Sequence, residues 1–263
     1  MTGFVELRDV RLAYGAAADS TLALDGLTMS VQKGEFAAVV GPSGCGKSTL
    51  MKLATGLITP QEGTVEVAGH EVDGPVSIAG MAFQNPSMLP WRTTLSNVML
   101  PLEIVQPHRS KLRSEKASYT AKAEDLLKLV GLDGFGEKFP WQLSGGMQQR
   151  SNLCRALIHD PALLMLDEPF GALDAFTREE LWQVMRDLHA EKGFTVILVT
   201  HDLREAVFLA DKVFVMSARP GKIIMEREVH FPRPRSIDLI YETEFNDIVH
   251  DLRALIADAR AAA

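Results

Sequence analysis

Phe36-Ala37-Ala38-Val39-Val40-Gly41-Pro42-Ser43-Gly44-Cys45-Gly46-Lys47-Ser48 is an apolar run that breaks into a glycine-rich loop and ends on Lys-Ser. A short, continuously apolar run bounded by glycine suits a strand buried on both faces of a parallel sheet. The loop matches G-x-x-x-x-G-K-[ST] and stands where that pattern has mechanical meaning, after a strand and before a helix. Its glycines let backbone N–H groups close around phosphates. The match predicts that Lys47 reaches the β and γ phosphates and that the Ser48 hydroxyl ligates Mg²⁺. A chance glycine-rich turn is the duller account, and the strand and helix flanks weigh against it. Cys45 reads as a small space-filling residue and not as a redox site.

Further along, Leu163-Leu164-Met165-Leu166-Asp167-Glu168 is an apolar strand ending in two carboxylates, as a Walker B element does. The carboxyl edge of a strand is where α/β sheets place their ligands. There Asp167 is expected to hold Mg²⁺, directly or through water, and Glu168 to polarise the attacking water as general base. Two adjacent acids also fit a solvated turn, but the phosphate loop makes that account the weaker one. Together the two motifs imply a nucleotide hydrolase with a phosphate loop. Between them, Leu143-Ser144-Gly145-Gly146-Met147-Gln148-Gln149-Arg150 opens a helix, with Ser144 as N-cap and paired glycines permitting close phosphate approach at a positive helix end. It is not a G-x-S-x-G nucleophile elbow, because Gln142 stands where the first glycine belongs.

The surrounding pattern is α/β. Phe4 to Leu12 alternates loosely and Leu27 to Val31 strictly, which predicts half-buried strands of an antiparallel layer. Ala162 to Leu166 and Phe194 to Val199 predict further buried strands, and Lys212 to Met216 another, followed by the turn Ala218-Arg219-Pro220-Gly221 and a strand from Lys222 to Val229. Leu181, Val184, Met185 and Leu188 recur at helical spacing, and Asp202 to Ala210 reads as a short helix. Residues 88–158 are helical without a convincing strand and predict an inserted helical lobe. From Ile237 to Ala257 one face carries Phe245, Ile248, Val249, Leu252, Leu255 and Ile256, so 237–263 reads as an amphipathic C-terminal helix and tail packed on its own domain.

A chain of 263 residues with 46% apolar and 23% charged residues suits one large domain with an inserted lobe, 1–263 as a single unit of folding. Lys plus Arg number 27 against 34 Asp plus Glu, a net charge of −7, which argues against nucleic acid or anionic lipid as a general electrostatic partner. The two cysteines, Cys45 and Cys154, have no metal-ligand spacing, and a reducing interior is the simpler setting. Glu6, Arg8 and Asp9 stand where an export signal needs an apolar run. The longest stretch without charge, Gly74 to Trp91, holds Pro75, Pro86 and Pro90 and does not suit a membrane span. The protein is therefore expected inside the cell, with any membrane connection made through a partner.

With Leu143 to Arg150 in place between the two phosphate-site motifs, the sequence resembles the ATP-binding subunits of ABC transporters over nearly its whole length. The resemblance implies a RecA-like core with a parallel sheet, an antiparallel β layer and an inserted α-helical lobe carrying the signature. It implies ATP and Mg²⁺ as cofactors, with Gly41, Pro42, Ser43, Gly44, Cys45, Gly46, Lys47, Ser48 and Thr49 around the phosphates. Tyr14 matches the aromatic residue that stacks on adenine, Gln84 the Q-loop glutamine that also meets the metal, Asp174 the D-loop aspartate and His201 the switch histidine. Each has a plainer reading alone: a strand-edge aromatic, a loop amide, a surface charge, a histidine before a capped helix. Their joint order and spacing favour the functional one. The resemblance also implies a head-to-tail homodimer in which Ser144, Gly145 and Gly146 of one copy face the γ-phosphate held by Lys47 of the other.

Met88-Leu89-Pro90-Trp91, the Met-Gln-Gln signature, Gly171 to Arg178 and Ser217-Ala218-Arg219-Pro220-Gly221 resemble the importer branch for nitrate, sulfonates and taurine. That branch implies integral-membrane permease partners, an extracytoplasmic substrate-binding protein acting indirectly, and a peripheral place on the cytoplasmic face of the inner membrane. Ser151-Asn152-Leu153-Cys154 departs from the apolar, Ala-rich stretch expected after the signature, which predicts unusual helix packing. Trp91 has two readings, a permease contact or a core residue of the lobe. Two other functions compete. A soluble ABC ATPase in DNA maintenance or translation would carry coiled-coil arms or a fused second ATPase, and an ATP-bound scaffold would have lost Glu168 first.

Overall fold

The computed structural model describes residues 3–15 and 20–261. Met1, and residues 262 and 263 of the expected tail, lie outside the described residues. The chain divides into two compact units, Met1–Val76 with His189–Ala263, and Ser77–Leu188. In chain order the elements are β1 (Val5–Tyr14), β2 (Thr21–Val31), β3 (Phe36–Val40), α1 (Lys47–Ala54), β4 (Glu62–Val67) and β5 (His70–Glu71). Next come β6 (Ala79–Ala82), α2 (Thr94–Val98), α3 (His108–Lys111), α4 (Lys116–Leu129), α5 (Gly145–Leu157), β7 (Leu163–Asp167) and α6 (Ala175–Lys192). The chain ends with β8 (Thr195–Val199), α7 (Leu203–Leu209), β9 (Lys212–Met216), β10 (Ile223–Glu228) and α8 (Thr243–Ala261).

In the first unit, four strands form an antiparallel sheet in the order β2-β1-β4-β5. Leu7 sits opposite both Met29 and Val65, so one face of the layer is a continuous apolar surface. The loose alternation of the first strand has a physical cause. The pairing shifts between Leu7 and Val10, Asp9 takes φ 49°, and the extra residue returns Val10 to the buried face after the exposed Arg8 and Asp9. Opposite this bulge stands Gly63, where a Cβ would lie 2.4 Å from the Arg8 carbonyl oxygen.

β3 is paired in parallel with β8 on one side and β9 on the other, with Ala38 opposite Leu198 and Val213. Every residue of β3 is fully buried, which is why its sequence does not alternate. The antiparallel β10 extends this layer from β9. The single C-terminal helix expected from Ile237 to Ala257 is instead two elements. A 3-10 turn, Ile237–Tyr241, is capped by the Ser236 hydroxyl accepting from the Asp238 N–H, and α8 starts afresh at Thr243. The apolar spacing was the same in both, but the extended Glu242 (ψ 147°) interrupts the helix. Phe245, Ile248 and Leu252 are buried, as the periodicity predicts, with α8 packed on α7 and β9. The Pro-rich segment before it is pinned by buried Arg235, whose guanidinium donates to the carbonyls of Val207, Phe208, Ala210 and Val229 and whose pKa burial lowers to about 10.

In the second unit, β6 and β7 run in parallel, Gly80 opposite Leu164 and Ala82 opposite Leu166. β6 is a strand that the sequence concealed inside the uncharged Gly74 to Trp91 run, because Ala-Gly-Met-Ala has no β-branched residue. Gly80 is required here, since a Cβ would meet the Ala156 carbonyl oxygen at 2.1 Å where α5 crosses the strand. Among the described residues no helix is long and apolar enough to cross a membrane.

Candidate active site

The phosphate loop connects β3 to α1. Gly44 and Gly46 take φ 75° and 107°, in the left-handed region that favours glycine, so the chain turns back tightly enough to place Lys47 at the first position of α1. Lys47 is nearly buried, and its Nζ donates to the carbonyl oxygens of Gly41 and Pro42, each at 2.9 Å. The ammonium thus lies within the curve of the loop. Cys45 is buried at 1% exposure and serves as filler, as expected. The Tyr14 hydroxyl meets Thr49 Oγ1 at 3.3 Å, which ties the end of β1 to the first turn of α1. Tyr14 is 42% exposed at that edge.

His201 is exposed at the end of β8, one residue before the cap of α7. Asp202 accepts from the N–H groups of Arg204 and Glu205 and so fixes where that helix starts. The Thr200 hydroxyl donates to buried Glu205 at 3.1 Å and accepts from the Asp202 N–H at 3.0 Å. The backbone on either side of His201 is held by these bonds, which orient the ring's attachment point.

The second unit holds Gln84, Ser144, Gly145, Gly146, Asp167, Glu168 and Asp174. β7 delivers Asp167 at its carboxyl end, and Glu168 follows with φ 47°, a left-handed conformation for a residue with a Cβ. Such strain persists only where the surroundings determine it. The structure brings Gln84 and Glu168 together, the Gln84 Nε2 donating to Glu168 Oε2 at 2.9 Å. With its N–H so engaged, the remaining polar atom of the Gln84 side chain is its carbonyl oxygen, a hard donor of the kind a divalent cation takes. Ser144, Gln84 and Asp174 are exposed. Ser144 caps α5 by accepting from the Met147 N–H at 3.3 Å, as the sequence predicts. Gly146 faces the segment before Asp174 closely enough that a Cβ would lie 2.9 Å from Leu173 Cδ2. Asp174 accepts from the Thr177 N–H and hydroxyl at 3.1 and 2.7 Å, and the backbone bond chiefly holds its carboxyl below the usual range.

Three supporting residues escaped the sequence reading. Gln149 and Asn152 on α5 both donate to the Phe83 carbonyl, at 3.3 and 3.0 Å, and so hold the backbone next to Gln84 against the signature helix. Asn152 also accepts from Arg155 at 2.7 Å, while Arg155 donates to Pro86 and Ser87 carbonyls. The departure at Ser151 to Cys154 was the available signal. Asn97 left no signal at all. It is fully buried and reaches the carbonyls of Leu89, Arg92 and Thr93 while accepting from the Leu89 N–H at 2.7 Å, which organises the turn carrying Trp91. Trp91 itself is 70% exposed, so its reading as a core residue is overturned.

The residues that the sequence resemblance implies for Mg²⁺, Ser48, Gln84 and Asp167, each offer an oxygen, a hydroxyl, an amide carbonyl and a carboxylate respectively, and hard oxygen donors suit Mg²⁺ rather than zinc or copper. Comparison with known proteins agrees with the motifs. The family model for ABC transporters matches residues 24–171. The aliphatic sulfonates import ATP-binding protein SsuB of Bacillus licheniformis is 42% identical over 85% of this chain and 84% of its own. The taurine import ATP-binding protein TauB of Escherichia coli K12 is 41% identical over 80% of each chain. Among solved structures, a dimeric post-hydrolysis state of an ATP-binding cassette bound to ADP and Pi superposes with a TM-score of 0.75 at 30% identity, covering 87% of this chain and all of the other. With the phosphate loop, the acidic strand end and the capped signature helix in one α/β chain, this protein belongs to the ABC transporter family as one of its ATP-hydrolysing subunits.

Proposed function

We propose that this ATPase energises an importer for a small organic sulfonate of the taurine or alkanesulfonate type, working as a head-to-tail homodimer on integral-membrane permease subunits at the cytoplasmic face of the membrane. The observation that carries the catalytic part is the 2.9 Å bond from Gln84 to Glu168. It links the residue that activates water to the segment leading toward the exposed Trp91. Lys47, the loop N–H groups of 41–49 and Tyr14 bind the nucleotide, and Ser144 to Gly146 of the second copy complete each site. Ser48, Gln84 and Asp167 would hold Mg²⁺, which would neutralise phosphate charge. Glu168 orients and deprotonates the water, His201 contacts the γ-phosphate, and Asp174 bridges toward the other copy.

Residues 88–158 act as the lobe through which the permease is engaged. An open groove of about 560 Å³ in the second unit supports this, being lined by Met81, Phe83, Leu100, Pro101, Ile104 and Arg155 among others. Ile104 is 65% exposed there, an apolar side chain available to a partner. A solute-binding protein outside the membrane supplies the substrate, and selectivity resides in it and the permease. The test is to co-purify the permease and its binding protein with this subunit and measure the binding protein's Tm against taurine, alkanesulfonates, nitrate and pyrimidines. A rise with sulfonates is expected. Stabilisation by nitrate or a pyrimidine alone overturns the substrate class, and failure to recover any permease overturns the transport reading.

A further inference from the structure

Ser217-Ala218-Arg219-Pro220-Gly221 joins β9 to β10 and lies directly against the phosphate loop. Ser217 closes the turn, its N–H donating to the Lys222 carbonyl at 2.9 Å and its hydroxyl accepting from the Lys222 N–H at 3.0 Å. Gly221 passes so near the loop that a Cβ there would stand 2.1 Å from the Cys45 carbonyl oxygen, and its N–H donates to Ala23 at 2.9 Å. From this braced turn Arg219 reaches back over the loop. Its Nε and Nη2 both donate to the Gly44 carbonyl oxygen, at 3.1 and 2.9 Å.

A trans peptide keeps its C=O and N–H on opposite sides. Fixing the Gly44 carbonyl therefore fixes the direction of the Cys45 N–H, which points the other way. That N–H reaches the Pro42 carbonyl only at 3.4 Å, a long contact that a phosphate oxygen readily replaces. A cation on the carbonyl also polarises the peptide and strengthens its N–H as a donor. The loop carbonyls are thus divided between two cations, Lys47 holding Gly41 and Pro42 and Arg219 holding Gly44. Lys47 belongs to the junction of the loop and α1, whereas Arg219 is attached to the neighbouring hairpin.

We propose that Arg219 is a positioning residue for the nucleotide phosphates, acting through the Gly44–Cys45 peptide so that the Cys45 N–H is presented to a phosphate oxygen. The inference rests on the loop being the ATP phosphate site. Arginine suits the task because its planar fork places two donors on one oxygen, whereas a lysine ammonium offers a single point contact.

The chain has two cysteines, so protein labelled with ¹⁵N-cysteine gives two amide signals, Cys45 and Cys154, and the second is an internal control on α5. Cys45→Ala assigns them. In the wild type, Mg²⁺–ADP should shift Cys45 and leave Cys154 in place. In Arg219→Met the Cys45 signal should move before nucleotide is added, the ADP Kd should rise about tenfold, and the ATPase KM should rise similarly with a smaller fall in kcat. Arg219→Lys should recover part of the affinity. Arg219→Met with wild-type Kd and an unmoved Cys45 signal overturns the proposal, as does a Cys154 signal displaced as far as Cys45, which marks general damage. A wild-type Cys45 signal indifferent to ADP would instead sink the assignment of the loop itself.

Discussion

Gln84 donates to Glu168 across 2.9 Å, so the amide of one loop and the carboxylate at the end of β7 form one hydrogen-bonded pair. Glu168→Gln removes the carboxylate proposed as general base and keeps the shape. The variant should bind ATP with Lys47 and Ser48 intact yet hydrolyse it about 10²–10⁴-fold more slowly, and should accumulate as an ATP-dependent dimer. Single-turnover hydrolysis with size-exclusion chromatography checks this. Wild-type turnover would reject Glu168 as the base.

Head-to-tail pairing predicts complementation. Lys47→Ala removes the loop ammonium proposed to bind phosphate and Ser144→Arg obstructs the start of α5, so on the proposed pairing each homodimer should be inactive. A mixed dimer contains one site with both Lys47 and Ser144 intact and should regain part of the ATPase activity. Verified heterodimers without any recovery would contradict the pairing.

Asn97 and Trp91 should separate a scaffold from the contact it carries. Trp91, 70% exposed, can be truncated to alanine with the isolated subunit's Tm changing by about 1 °C or less. Permease association should weaken. Asn97→Leu strands the carbonyls of Leu89, Arg92 and Thr93 and should cost about 3 kcal/mol in denaturant unfolding of the subunit alone. A large loss with Trp91→Ala would return that residue to the core.

His189 gives stability an acid limit. It is buried against Phe36 and Phe194, and its Nε2 donates to the Gly34 carbonyl at 3.0 Å. Burial holds its pKa below the ordinary 6.5, nearby Arg233 adding to this and Asp211 opposing it. The unfolded chain therefore binds the proton first. The stability this provides is complete above the unfolded pKa and is lost as pH falls below 6.5 toward the depressed folded value. Urea unfolding at pH 7.5 and 5.5 should show the loss. His189→Phe, which cannot take up a proton, should lessen it. An identical pH dependence in the variant would exclude His189 as the cause.

The sequence by itself determined the chemistry-bearing motifs and the strands next to them. A phosphate loop needs glycines, a lysine and a hydroxyl in contiguous order, and a strand buried on both faces needs an unbroken apolar run, so 36–48 and 163–168 declare themselves locally. Ser144 as a cap and the buried face of α8 followed for the same reason, since both are set within a turn or two of helix. What tertiary structure decided depends on partners distant in sequence. Strand β6 exists because β7 supplies its ladder, not because Ala-Gly-Met-Ala prefers to extend. Glu242 breaks the C-terminal helix without disturbing its apolar spacing. Trp91 lies outside the core, although its composition and neighbours suit either place. Asn97, Asn152 and Arg219 look like ordinary polar residues until folding brings specific carbonyls to them. A hydrogen bond between residues far apart in the chain leaves no period in the sequence, and only the folded backbone specifies which oxygen each one meets.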